Sequence, residues 1–134
     1  MRRLDATTLV SPRQIVPNDV PAIAALGVRL IVNNRPDGEE PGQPSSAQIE
    51  AAVRAAGLDY RHIPISGGFP QAQVEAMAQA LEAGPVLAFC RSGTRSTWLW
   101  ALARVSRGTD AETLVRQAAG AGYDLGALPA LLTR

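Results

Sequence analysis

The chain has 134 residues, a length that suits one domain around one hydrophobic core rather than two. With 46% hydrophobic and 19% charged residues and a net charge of +1, it has the composition of an ordinary globular protein. It carries no basic field to recruit nucleic acid or an anionic membrane.

One cysteine excludes an internal disulfide framework, and one histidine beside it makes a zinc cluster implausible; no metal and no cofactor are expected. In chain order, Met1 to Thr8 has two arginines with no apolar stretch behind them, so a signal peptide is not expected. No apolar run approaches the roughly 20 residues of a membrane span, which predicts a cytoplasmic protein.

Leu4 to Ile15 reads as one or two edge strands. Asn18 is placed to cap a helix over Asp19 to Leu26, stopped by Gly27. Val28 to Val32 is a short β-branched run, followed by a Pro-, Gly- and acid-rich surface loop from Asn33 to Pro44. Ser45 with Gln48 forms a capping box for a helix ending at Gly57. Tyr60 to Ile65 is the second strand of this kind. Pro70 opens a helix with Val74, Met77, Ala78 and Leu81 on one face and Gly84 behind it.

Pro85 to Phe89 is a third apolar strand, and Arg95 to Arg107 a helix with the stripe Trp98, Leu102 and Val105. A capping box at Thr109 and Glu112 and a short helix after Asp124 complete the chain. Near-continuous apolar strands alternating with helices predict an α/β fold: a single layered domain, 1–134, with a central, mostly parallel sheet flanked by helices.

The chemistry concentrates at Cys90-Arg91-Ser92-Gly93-Thr94-Arg95-Ser96, directly after the third strand. Ligands of open α/β sheets bind outside the carboxyl ends of the strands. Here the chain turns sharply into a helix, so the N–H groups of Arg91 to Ser96 point around a common centre and, with the helix dipole, attract an anion. Gly93 allows the backbone conformation such a nest needs.

A free thiol titrates near about 8.5, and a helix N-terminus with neighbouring arginines lowers that value, which makes Cys90 a thiolate nucleophile. Arg95, with its planar fork, suits bidentate capture of an oxyanion, and Ser96 is placed to hydrogen-bond the sulfur. A lone cysteine at a strand end is often only a small buried hydrophobe. Two arginines and a glycine within five positions are hard to explain by packing.

The loop resembles those of two families, the protein-tyrosine and dual-specificity phosphatases and the single-domain rhodaneses. The rest of the chain is similar to the small bacterial family of the phosphatase-like domain of beta-lactamase-hydrolase-like proteins, which is also called a sulfur transferase family. The matching segments are Ser11 to Ile15, Gly27 to Glu40 with Asn33-Asn34-Arg35-Pro36-Asp37-Gly38-Glu39, Gly57 to Pro64, and Phe89 to Leu102. This resemblance implies a fold like that of the dual-specificity phosphatases rather than the rhodanese fold, and a reaction at Cys90 and Arg95.

Three departures from the phosphatase pattern favour sulfur. Four residues separate Cys90 from Arg95, one fewer than in phosphatases, and Phe89 stands where phosphatases usually have His. The loop where dual-specificity phosphatases keep their acid reads Ser66-Gly67-Gly68-Phe69-Pro70. General-acid help is worth roughly 100- to 10,000-fold, whereas a thiolate leaves readily without it.

The expected reaction is therefore sulfur transfer through a Cys90 persulfide, from a small-molecule donor such as thiosulfate to a thiol or cyanide. A phosphatase working through a phosphocysteine is the alternative, and a non-catalytic anion- or phosphoprotein-binding module the third. Arg91 is expected at the rim, and Arg35, above Asn34, is a candidate pocket residue. Asp37, or else Glu39, is a candidate acid; a solvated surface turn is the simpler reading of both. His62 falls mid-strand on this reading, a packed or surface imidazole rather than a catalyst. Trp98 and Trp100 read as packing.

Overall fold

The computed structural model describes residues 1–133. Five strands form one sheet: β1 (Arg2–Asp5), β2 (Thr8–Val10), β3 (Leu30–Asn33), β4 (Asp59–His62) and β5 (Val86–Phe89), in the spatial order β1-β2-β5-β3-β4. β1 is antiparallel to β2, and the other neighbouring pairs are parallel. The helices are α1 (Val20–Ala24), α2 (Ser46–Ala55), α3 (Gln71–Glu82), α4 (Thr94–Ser106), α5 (Ala111–Gly120) and α6 (Leu128–Leu132). Among the described residues, no helix is long and apolar enough to cross a membrane.

The apolar strands are explained by a core on each face. Leu30, Val32, Val86 and Ala88 point to a layer with Met77, Leu81, Leu99, Trp100, Leu114 and Leu128 from α3 to α6. Ile31, Leu87 and Phe89 point the other way, against Val20, Ile23, Ile49 and Val53 of α1 and α2. Successive strand residues face opposite sides, so a strand covered on both faces must be apolar at every position.

Several local expectations change. β2 is not an edge: it pairs with β5, and only β1 forms that rim of the sheet. A 3-10 turn over Pro17–Asp19 precedes α1 and takes in Asn18, which therefore does not cap the helix; Asp19 opens α1 without a side-chain cap, its carboxylate turned back to accept the Val16 N–H at 2.8 Å. At α5 the cap is Asp110, which accepts the Thr113 N–H at 3.1 Å; Thr109 and Glu112 form no capping box because the extended residue before the helix is Asp110. The stripe Trp98, Leu102 and Val105 is only half-buried, while Leu99, Trp100 and Ala103 form the fully buried face of α4. β4 ends at His62, although Ile63 and Ile65 still donate to the Asn33 and Asn34 carbonyls; Pro64 between them has no N–H for a continuous ladder.

The capping box of α2 is present as expected, with Ser45 Oγ accepting the Gln48 N–H and Gln48 Oε1 accepting the Ser45 N–H at 2.9 Å. Ser45→Ala is expected to lower the unfolding free energy by about 1 kcal/mol in urea titrations, with the denaturant slope unchanged.

Candidate active site

β2, β3, β4 and β5 run parallel, so their carboxyl ends share one edge of the sheet, and Ser11, Asn34 and Cys90 follow directly on it. The Ser11 N–H donates to the Ala88 carbonyl at 2.9 Å and the Asn34 N–H to the Phe89 carbonyl at 2.8 Å, which flanks the Cys90 loop on both sides. The loop occupies residues 90–93 and enters α4 at Thr94. Gly93 adopts φ +91°, and a Cβ there would lie 2.1 Å from the Tyr123 hydroxyl and 2.8 Å from the Ser11 carbonyl oxygen, so glycine is required twice over. The first turn of α4 is fixed to the loop, the Gly93 carbonyl accepting both the N–H (2.9 Å) and the hydroxyl (2.7 Å) of Thr97.

Cys90 is 1% exposed. Burial pushes its thiol up, but hydrogen bonds from the Ser96 N–H and hydroxyl and from the Gly93 and Ser92 N–H groups outweigh that and hold it below the ordinary thiol range. The Gly93 N–H lies 3.2 Å from Sγ. Ser96 Oγ is fully enclosed, and among the described residues it meets no partner at regular hydrogen-bond geometry; the sulfur is the group its hydroxyl bears on, through a looser polar contact. The predicted nest is present, and its donors lower the thiol more than the arginines do; Arg91 is exposed at the rim.

Arg95 is placed otherwise than expected. Its Nη1 and Nη2 bond the two oxygens of Glu39 at 2.8 Å each, and Nη1 also donates to the Ile65 carbonyl at 2.9 Å. The fork expected to capture a substrate oxyanion is thus filled by Glu39, while the guanidinium charge still acts on Cys90. Glu39 is held ionised at about 2, chiefly by its bonds to Arg95, against the opposing effect of burial and with further help from Arg35.

Arg35 does not line an open pocket. It is 1% exposed, pairs with Glu39 (2.8 Å) and Glu40 (3.0 Å), and donates to Gln14 Oε1 at 3.0 Å. Asp37 turns its carboxylate to the N-terminus of α2, accepting the Ser46 N–H at 2.7 Å, and so caps a helix. His62 is exposed at the carboxyl end of β4, its Nε2 2.9 Å from the Arg35 carbonyl oxygen, rather than mid-strand. Ser92 and Thr94 are exposed with their hydroxyls 3.1 Å apart. Asn34 is enclosed, its amide donating to the Ile63 carbonyl at 2.9 Å and its Oδ1 without a partner among the described residues.

Sequence reading missed Tyr123, whose hydroxyl donates to the Ser92 carbonyl at 2.8 Å, and Ser11, whose carbonyl backs Gly93. Nothing local marks Tyr123, which stands 31 positions after Ser92. Glu39 was in view as an acid, and the signal for its actual role is the spacing of Arg35 and Glu39 on a loop opening toward Arg95.

Two outcomes follow. Ser96→Ala should move the pH midpoint of Cys90 alkylation by iodoacetamide upward, because the enclosed sulfur loses a donor. Gly93→Ala should lower stability by at least about 1–2 kcal/mol in thermal or denaturant unfolding, the cost of a left-handed residue before the clash with Tyr123 is counted.

Comparison with known proteins agrees with this architecture. The model of the family "Beta-lactamase hydrolase-like protein, phosphatase-like domain" matches residues 1–107. Beta-lactamase hydrolase-like protein of Agrobacterium fabrum is 48% identical over 87 residues, 63% of this chain and 20% of that protein. The protein of the same name from Xylella fastidiosa is 42% identical over 107 residues, 77% of this chain and 25% of that one. The chain therefore spans a quarter or less of the length of these curated relatives.

A solved structure from Neisseria meningitidis, described as a putative phosphatase, superposes with a TM-score of 0.82 at 35% identity, covering 98% of this chain and 94% of that one. With the family model, the curated relatives and the solved structure in agreement, the chain belongs to the family of the phosphatase-like domain of beta-lactamase hydrolase-like proteins.

Proposed function

We propose that the chain is a cysteine-dependent sulfurtransferase that carries sulfane sulfur on Cys90 from thiosulfate or a low-molecular-weight persulfide to a thiol or cyanide. The observation that carries this reading is the state of the acids around a well-stabilised thiolate. Glu39, bonded to Arg95, is held ionised at about 2, and Asp37 is engaged with the start of α2, so neither stands ready to protonate a leaving alkoxide. Ser66 to Pro70 supplies no acid either.

Sulfur transfer does not need that proton. The Cys90 thiolate attacks the outer sulfur of thiosulfate, the new S–S bond forms as the old one breaks, and sulfite leaves with its electron pair. An acceptor thiolate or cyanide then attacks the outer sulfur of the persulfide, and Cys90 departs as the thiolate that the Ser92, Gly93 and Ser96 donors already stabilise. These 134 residues hold one thiol, so on this reading the acceptor is supplied from beyond them.

A second reading, phosphoester hydrolysis through a phosphocysteine at Cys90, draws on the comparisons. The family is described as phosphatase-like, and the Neisseria neighbour, similar over nearly its whole length, is described as a putative phosphatase. On that reading water or substrate supplies the proton that no placed carboxylate offers.

The two readings separate in one experiment, side-by-side turnover of thiosulfate with cyanide and of an aryl phosphate by wild type and Cys90→Ser. The expected outcome is thiocyanate production by wild type, its loss in the variant, and a gain of one sulfur atom on Cys90 in intact-mass spectra after donor treatment. Phosphate release without sulfur transfer would reverse the order of the two readings. Activity retained in Cys90→Ser would sink the cysteine mechanism.

A further inference from the structure

A feature of the loop that neither reading uses is the hydroxyl of Tyr123. It donates to the Ser92 carbonyl at 2.8 Å, while the Gly93 N–H, on the other side of the same peptide bond, points to Cys90 Sγ at 3.2 Å. A trans peptide is planar, so its C=O and N–H point in opposite directions. Whatever fixes one fixes the other. We infer that Tyr123 is a positioning residue that locks the Ser92–Gly93 peptide with its N–H toward the nucleophile, whatever group that nucleophile carries.

The lock has work to do because the position is intrinsically free to turn. Gly93 at φ +91° has no Cβ to bar rotation of the preceding peptide. Turned over, that peptide would aim the Ser92 carbonyl at the thiolate and take away one of its donors. The lock is also held from behind: the Arg2 guanidinium lies 5.2 Å over the Tyr123 ring, and Arg2 Nη1 donates to the Ala121 carbonyl at 3.3 Å.

Burial pushes the Tyr123 phenol up, more than Arg2 pulls it down, and the nearby Cys90 adds to the rise, so the hydroxyl stays a donor across the range where the thiol titrates. The charged groups that bear on the sulfur and on this contact are Arg95, Glu39 through Arg95, and Arg2. Tyr123 lies beyond residue 107, where the family match ends, so a segment outside the matched region completes the nest.

Tyr123→Phe removes the hydroxyl and keeps the ring on which Arg2 rests. The expected result is an upward shift in the pH midpoint of Cys90 alkylation and a drop of about fivefold in turnover at neutral pH, the worth of one hydrogen bond, with the thermal unfolding midpoint little changed. An alkylation midpoint identical to wild type would overturn the inference. In the wild-type protein itself, the Gly93 amide should exchange with solvent slowly by NMR, and exchange at the rate of an open loop would overturn it equally, without reliance on any variant. Alkylation needs no substrate, so its failure is distinguishable from a failure of sulfur transfer.

Discussion

A charged sulfur that is almost wholly enclosed must be solvated by the protein instead of by water, and the rest of the site is arranged around that requirement. Burial alone would keep Cys90 protonated and inert. The compensating donors are backbone N–H groups of Ser92, Gly93 and Ser96 with the Ser96 hydroxyl, fixed in place before any substrate arrives. Such preorganised dipoles in a water-excluded pocket stabilise an anion without having to reorient during the reaction. In the proposed reaction the same donors serve the thiolate as nucleophile in the first half and as leaving group in the second. The left-handed glycine, the packing of Ser11 and Tyr123 against it, and the anchoring of Thr97 to its carbonyl are the means by which the donors are held.

Net charge is the lesser part of the attraction. Arg95 faces the sulfur, yet Glu39 bonds it through both oxygens, and Arg35 behind it pairs with Glu39 and Glu40. Two arginines and two glutamates nearly neutralise one another, so the field at Cys90 comes mostly from oriented dipoles. Arg35 is as deeply buried as Cys90, and a buried guanidinium must keep its partners. It therefore determines where the 36–44 loop lies, and through Glu39 where the Arg95 fork points. The surface turn read from Asn33 to Pro44 is in effect a strut whose foot is an ion pair.

Much of this was legible in the sequence because it is local. The three apolar runs place β3, β4 and β5, the Ser45 box places α2, and the Cys-to-Arg loop falls between a strand and a helix as its pattern predicts. A helix start is ambiguous where two adjacent residues could each cap it, as with Thr109 against Asp110. There the carboxylate, the stronger acceptor for backbone N–H groups, takes the role, whereas Asn18 falls inside the 3-10 turn before α1. The stripe on α4 failed because the helix packs on the sheet, α3 and α5 at once, so Leu99 and Trp100 rather than one seam are enclosed. Contacts across the fold were not legible at all. Tyr123 meets Ser92, and Glu39 meets Arg95 across 56 positions, through tertiary packing that no spacing rule encodes.

The position of Glu39 also decides which group governs the pH dependence of the site. Its folded value, about 2, lies below the ordinary carboxylate value near about 4.3, so its pairing stabilises the site fully above that ordinary range and is lost only as pH falls through about 2. Across neutral pH the Glu39–Arg95–Arg35 strut is constant in charge. Cys90 is displaced in the same direction, below the ordinary thiol range, so the thiolate form contributes stability above that range and loses it as pH falls through the lowered value. Glu39 and the Cys90 thiolate are both anionic and both stabilised by donors. Glu39 therefore does not change charge near neutral pH, and it is not the group whose titration switches Cys90 between thiol and thiolate.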